Sequence, residues 1–402
     1  MRFADLGVSP AIVDALAAAG IDDAFEVQTL TIPPALAGLD VAGEAPTGSG
    51  KTLAFGIPML QRTPSGGPGR PSALVLAPTR ELAKQIADVL EPLGRQCDVR
   101  VLACHGGSPF EPQIEALAAG VHVVVATPGR LLDLIEQGYL TLAAVSMVVV
   151  DEADRLADMG FLPDVRRLLD MTAPERQTML FSATLDGDID VLIRDYQTDP
   201  VRHEVTPPAV GPVRHHLWIA HDTAKPDLLA KIVKRAGPTM VFCRTRHGAD
   251  RVAMRLTKAQ IRVASLHGGN SQNKREQALE DFRDGRVFAL VATDVAARGL
   301  HIDGVACVVQ YDLPVDPKDY VHRSGRTGRA GASGTVVTFV APADQLHARS
   351  IVEQAGVDAE LGAPDLLQIE HADVRAAIDA ELAALAEIRR PGHVGGVSYR
   401  VR

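Results

Sequence analysis

The sequence predicts an α/β protein made of two tandem doubly wound parallel-sheet domains with a short helical C-terminal extension. Three observations carry that prediction. Met147 to Val150 is an unbroken apolar run that ends on Asp151-Glu152-Ala153-Asp154. Apolar residues without alternation mark a strand buried on both faces, as in a parallel sheet. Well upstream, Ala45-Pro46-Thr47-Gly48-Ser49-Gly50-Lys51-Thr52 has the A-x-x-x-x-G-K-T form of a phosphate-binding loop. Short apolar strands alternate with amphipathic stretches around both, the βαβ signature. They do so twice in a chain of 402 residues, too long for one ordinary core.

In chain order, residues 9–38 read as two helices, with Ile12, Leu16 and Ala19 on one face of the first and Pro33-Pro34 disturbing the second. The glycine-rich loop opens a helical run from Leu53 to Leu60. Strands are expected at 72–77, 99–104, 121–126, 146–150 and 178–182. Prolines and a glycine between Pro200 and Pro212 then break the pattern and mark a linker at 206–212. A second series of strands is expected near 214–220, 239–243, 262–265, 288–292, 305–310 and 334–340. The domains are therefore placed at 1–205 and 213–356, with 357–402 as the extension. Within the extension, 371–390 is an alanine-rich amphipathic helix with Val374, Ile378, Leu382 and Leu385 on one face. Asp373 near its start and Arg389-Arg390 at its end suit the helix dipole.

The halves echo each other. Thr79-Arg80 returns as Thr245-Arg246, the His105-Gly106-Gly107 run as His267-Gly268-Gly269, and Val125-Ala126-Thr127 as Val291-Ala292-Thr293, spaced 166, 162 and 166 residues apart. Three echoes in one order point to a duplicated fold. Only the first copy carries the lysine loop, so one copy would hold a nucleotide and the other sense it.

Composition narrows the partners. Hydrophobic content is 46% and charged content 23%, that of an ordinary soluble protein. Met1 to Asp5 lacks the apolar core of a signal peptide, and no apolar run reaches the roughly 18–20 residues that span a bilayer. Cys97, Cys104, Cys243 and Cys307 are scattered, without metal-ligand or disulfide spacing. A cytoplasmic monomer without membrane contact is expected. A net charge of −9 counts mildly against nucleic acid, although a local basic groove is what binds it. Aromatic residues are only 4% of the chain, and Trp218 is the sole tryptophan. A stacking platform for splayed bases is thus not expected, and any nucleic acid would be held by its backbone.

In the loop, the backbone at Thr47, Gly48, Ser49 and Gly50 closes on phosphates, Lys51 reaches the terminal ones, and the Thr52 hydroxyl faces Mg²⁺. Asp151 would hold the magnesium through its water shell, the partner role to Thr52, and Glu152 would orient or deprotonate the attacking water. Acids at a helix N-terminus would explain either carboxylate alone. They would not explain both following a buried strand downstream of a phosphate loop. Ser182 and Thr184 carry short hydroxyls after a strand, where helix capping is the ordinary explanation.

Asp151 to Asp154 spell the name of the DEAD-box RNA helicases, and the resemblance extends over about residues 1–345. Ala77 to Ala83, Gly106-Gly107 and Thr127-Pro128-Gly129-Arg130 resemble that family's first-domain RNA contacts, and Ser182-Ala183-Thr184 its coupling motif. Phe242, His267-Gly268, Gln272, Arg275, Ala292 to Gly299 and His322 to Arg329 are similar to its later motifs. The resemblance implies two RecA-like domains, with ATP and Mg²⁺ as cofactors. It implies that Arg326 and Arg329 reach the γ-phosphate, and that Ser182 and Thr184 bridge Asp154 and His322. Phe3 and Gln28 stand where the family reads adenine. RNA would be held along its backbone by Arg80, Gly106, Gly107, Thr127, Arg130, His267, Gly268, Gln272, Thr293 and Arg298, and bent by the helix from Leu131 to Gln137.

The chain departs from the family at three places. Ile21 replaces an aromatic, Ala24-Phe25 a Pro-Thr pair, and His301 a ribose-binding acid, for which His301 itself or Asp303 would have to serve. The activity implied is that of an ATP-dependent RNA helicase. It would close on ATP and single-stranded RNA, melt duplexes locally and release them on hydrolysis. An ATP-gated RNA clamp or scaffold shares every motif. A DNA helicase and a P-loop ATPase unrelated to nucleic acid fit the paired RNA-type motifs less well.

Overall fold

The computed structural model describes residues 1–46, 48–64, 66–205, 212–297, 302, 304–328 and 332–371. The expected helix at 371–390, nearly all of the linker, and Thr47, Arg298, His301, Asp303 and Arg329 lie outside them. The chain divides into two compact units that part at Pro207 and Pro208.

The first unit has strands β1 Val41–Glu44, β2 Ala73–Leu76, β3 Val101–Cys104, β4 Val123–Ala126, β5 Met147–Asp151, β6 Gln177–Ser182 and β7 Val201–Glu204. They form one sheet in the order β3-β4-β2-β5-β6-β1-β7, and every pairing is parallel. Its helices are α1 Pro10–Ala18, α2 Glu26–Leu36, α3 Lys51–Arg62, α4 Arg80–Arg95, α5 Phe110–Ala118, α6 Pro128–Glu136, α7 Ala153–Asp158, α8 Leu162–Asp170 and α9 Gly187–Tyr196.

Alternate residues of the central strands serve opposite cores. Val75, Met147, Val149, Met179 and Phe181 pack on one face with α1 to α4. Leu74, Leu76, Val148, Val150 and Leu180 pack on the other with α6, α8 and α9. Burial on both faces is why these strands lack polar alternation in sequence.

The second unit repeats the plan. Its strands are β8 Val213–Ile219, β9 Thr239–Phe242, β10 Val263–Leu266, β11 Ala289–Ala292, β12 Cys307–Gln310, β13 Gly334–Val340 and β14 Ala359–Gly362. They are ordered β10-β11-β9-β12-β13-β8-β14, position for position the order of the first sheet. Its helices are α10 Lys225–Ala236, α11 Arg246–Lys258, α12 Gln272–Arg283, α13 Asp294–Ala297, α14 Pro317–Ser324 and α15 Gln345–Gln354.

The sequence echoes land on equivalent backbone. Thr79 caps α4 by accepting from Leu82 N at 3.2 Å, and Thr245 caps α11 by accepting from Gly248 N at 3.0 Å. Thr127 N donates to Cys104 O at 3.1 Å, and Thr293 N to Leu266 O at 3.2 Å. Lys225 opens α10 as Lys51 opens α3, but its Nζ lies 2.8 Å from the Asp222 carboxylate of its own loop. The second copy thus meets that lysine with an internal anion.

Several expectations are corrected. Strands β1, β7 and β14 were not expected. Helix α2 runs through Pro33 and Pro34 to Leu36. The missing donors are tolerated because Ala37 N still reaches Pro33 O at 3.0 Å, while Arg62 and Gln177 donate to Ala35 O from outside the helix. Ile12 and Leu16 are buried, but α1 ends at Ala18 and Ala19 is exposed. No helix among the described residues is long and apolar enough to cross a membrane.

Candidate functional site

In open α/β sheets, chemistry gathers outside the carboxyl ends of the strands. In the first unit that edge has two halves. Strands β1, β5 and β6 present the lysine loop, the acids and Ser182. Strands β2, β3 and β4 present Arg80, Gly106-Gly107 and Thr127.

The loop from Ala45 to Gly50 turns through left-handed backbone at Gly48 (φ 91°) and Gly50 (φ 93°). A Cβ on Gly50 would lie 2.5 Å from Gln28 Nε2 and 2.7 Å from Phe25 Cδ2, so glycine is required there on two counts. Lys51 is buried, and its Nζ donates to Ala45 O at 2.9 Å. The amine therefore points back into the loop, beside the helix N-terminus where an anion is favoured. Ser49 Oγ donates to Pro46 O at 2.8 Å and Ser49 N to the same carbonyl at 3.3 Å, which fixes the turn.

Gln28 is 2% exposed. Its Oε1 accepts from Phe25 N at 2.8 Å and its Nε2 donates to Gly50 O at 3.0 Å. One lone pair and one N–H remain for a ligand. Phe3 is 2% exposed, its ring packed in the core with Leu6 and Leu16, so it anchors the N-terminal segment.

Asp151 ends β5 and is buried, with Oδ1 accepting from Glu152 N at 2.9 Å. Burial holds its carboxyl above the usual range; the Lys51 ammonium opposes the shift and the Glu152 carboxylate adds to it. Glu152 caps α7 in the left-handed region, φ 50° and ψ 52°. A non-glycine residue held there costs about 1–3 kcal/mol and is typical of active sites. Buried Arg155, one helical turn on, places Nε 3.4 Å from Glu152 Oε2. The sequence reading passed over Arg155; its only signal was that i, i+3 spacing.

Ser182 Oγ donates to Asp154 Oδ1 at 3.0 Å and accepts from Asp154 N at 3.2 Å, closing a two-bond ring between β6 and α7. Thr184 is exposed and stands outside that ring.

On the other half of the edge, exposed Arg80 lies over the glycine pair. A Cβ on Gly106 would come 3.2 Å from Arg80 Nη2, and one on Gly107 (φ 82°) would overlap Arg80 Nη1. Arg130 is corrected from a direct contact to a positioning residue. It is 9% exposed, both of its Nη atoms donate to Ser108 O at 3.2 Å, and its guanidinium covers the Phe110 ring at 3.9 Å. It therefore shapes the turn that follows Gly107.

The second unit shows the same inward turn. His267 is 4% exposed, with Nε2 2.8 Å from Asp250 Oδ1 and Nδ1 accepting from Gly269 N at 3.1 Å. Because Gly269 donates to Nδ1, the ring proton lies on Nε2, and Gly268 is left exposed at the tip. Gln272, at 9% exposure, turns its amide to Glu276 at 3.0 Å. Neither side chain faces outward as expected.

Thr293 is buried at the start of α13. Arg323, also missed in sequence, grips Asp294 with Nε and Nη2 at 2.6 and 2.8 Å and donates from Nη1 to Asp312 O at 2.7 Å. It locks α13 to α14. Buried Arg326 and half-buried His322 line a small pocket with Phe242, Asp294 and Arg323.

The chain is similar to known proteins over most of its length. The DEAD/DEAH box helicase family model matches residues 25–192, and the helicase conserved C-terminal domain matches residues 224–331. The chain is 41% identical over 351 residues to the DEAD-box ATP-dependent RNA helicase CshA of Geobacillus kaustophilus, covering 86% of this chain and 75% of that one. Over 355 residues it is 39% identical to the Bacillus subtilis protein of the same name, covering 87% and 72%. Among solved structures it is similar to S. cerevisiae Dbp5 bound to RNA and ADP BeF3, with a TM-score of 0.82 and 27% identity over 95% of this chain and 99% of that one.

Proposed function

Since the chain belongs to the DEAD-box RNA helicase family, we propose that it uses ATP hydrolysis to melt RNA duplexes locally and then release the strands. The observation that carries the reading is one sheet edge. There Lys51, Asp151, Glu152 and the Ser182–Asp154 ring end or follow strands β1, β5 and β6, and Gly106-Gly107 follow β3 of the same sheet. Residues 1–205 are the first working module in this reading; the second begins at 213 and runs past the expected boundary at 356, because β14 Ala359–Gly362 pairs with β8 and Ile369 is buried in its core.

The loop N–H groups and Lys51 take the ATP phosphates. The Thr52 hydroxyl and the Asp151 carboxylate are hard oxygen donors of the kind that suit Mg²⁺ and would hold it, Asp151 through water. No cluster of three or more His, Cys, Asp or Glu fit for a metal occurs among the described residues. When bound, Mg²⁺ neutralises charge on the phosphates. Glu152 orients and deprotonates the attacking water, and Arg326 and Arg329 stabilise the charge that develops on the γ-phosphate. Gly106, Gly107, Gly268, Thr127, Thr293 and Arg80 hold the RNA backbone without reading bases. Arg130 and His267 keep the glycine turns in shape.

Measuring ATP turnover without nucleic acid, with single-stranded RNA and with matched DNA, at two salt concentrations, tests the reading. Stimulation by RNA alone, weakening as salt rises, is the expected result; equal rates in all three would overturn it. Strand displacement in the same tubes separates a helicase from a clamp that only grips RNA.

The Ser182–Asp154 ring gives a second expectation. Ser182→Ala removes a buried hydroxyl that both donates and accepts, at about 1–3 kcal/mol. Strand displacement should fall at least about tenfold further than ATP turnover. A parallel fall in both would remove the coupling role and leave a structural one.

A further inference from the structure

We infer that Phe25 is the face on which the base of the bound nucleotide stacks, a role that rests on the nucleotide site proposed above and adds a residue to it. The Phe25 ring is 60% exposed, the most exposed aromatic among the described residues. The other phenylalanines near the loop, Phe3, Phe55 and Phe181, are buried in the core.

Phe25 does not hang loose. It is the N-cap of α2, with φ −73° and ψ 166°. Its N–H is held by Gln28 Oε1 at 2.8 Å, and Gln28 Nε2 holds Gly50 O at 3.0 Å. The ring edge rests on Gly50, where an added Cβ would come 2.7 Å from Phe25 Cδ2. Gly50 is the residue directly before Lys51.

A nucleotide whose phosphates lie against Gly48 to Lys51 must carry its ribose and base past the rim of that loop. At the rim stands a preset ring, beside an amide with one lone pair and one N–H still open. The two side chains divide the work. The π-face accepts any base, because every base has one, and the Gln28 amide discriminates between bases by their edges. Ile21 is 38% exposed and has no aromatic face to offer. Phe25 supplies the face from the opposite end of the same turn.

The test compares wild type, Phe25→Ala and Phe25→Tyr by calorimetric titration with ADP, GDP and inorganic tripolyphosphate, alongside KM and kcat for RNA-stimulated ATP hydrolysis. Stacking is worth about 1–3 kcal/mol per base. Phe25→Ala should therefore weaken ADP and GDP alike by about tenfold, with the loss falling on KM rather than kcat. Tripolyphosphate, which has no base, should bind unchanged, and Phe25→Tyr should behave as wild type. Equal weakening of tripolyphosphate would reduce Phe25 to a prop for Gly50, and unchanged ADP affinity would remove it from the site; either result overturns the inference. A wild-type protein that binds tripolyphosphate but hydrolyses no ATP would instead sink the helicase reading.

Discussion

Glu152→Gln lowers RNA-stimulated ATP turnover by about 10²–10⁴, the range of a positioned general base, while ATP affinity stays close to that of wild type. Glutamine keeps the shape and the left-handed backbone that Glu152 adopts at φ 50°, but it cannot accept a proton from the attacking water. The cap geometry of α7 survives, because Arg155 N and Leu156 N bond to the Glu152 carbonyl and not to its side chain. The buried Arg155 guanidinium, 3.4 Å from Glu152 Oε2, loses its ionic partner. Leaving a charge buried without its counter-ion costs about 3–5 kcal/mol when the loss is complete. A melting curve must therefore accompany the kinetics. Loss of turnover with folding retained supports the base; turnover within a few-fold of wild type would place the base elsewhere.

Arg326→Ala lowers turnover by about 10³–10⁵, the contribution of an arginine that stabilises transferring phosphoryl charge, and leaves most of the ATP affinity in place. The side chain is 3% exposed beside Arg323 and His322. Arg323 is engaged by Asp294 and the Asp312 carbonyl. Arg326→Lys is the informative companion, because it keeps the charge and loses the planar fork; it should recover only part of the rate. Arg329→Ala is expected to behave like Arg326→Ala. An equal fall in binding and turnover would make these arginines ligand holders and not transition-state groups.

Much of the architecture was legible in the sequence wherever a strand is buried on both faces. Val148-Val149-Val150 could be read as β5, and ten other strands near their observed bounds, because a run with no polar alternation has few other homes. Two of the three missed strands lie at a sheet edge. Strands β7 and β14 are sheet edges, and Val201-Arg202-His203-Glu204 carries polar residues that hide its period. Strand β1 is four residues with a glycine, Gly43, whose added Cβ would come 2.8 Å from the Phe181 ring. Nothing local announces a ring arriving from β6.

Residue types at fixed spacing told which chemistry is present: a lysine after a glycine loop, paired acids after a buried strand, glycines at the ends of others. They could not tell which way each side chain faces. That is decided by partners brought together by folding. Phe3 turns into the core, Arg130 onto Ser108 and Phe110, His267 onto Asp250 and Gly269, while Phe25 stays at the surface against Gly50. A motif is a property of neighbours along the chain, and chain neighbours set backbone conformation. Hydrogen bonds and burial are settled by neighbours in space. By itself the sequence determined the duplicated α/β plan and the chemistry of the loop and acids; only the tertiary structure decided which of those side chains remain free to meet a ligand.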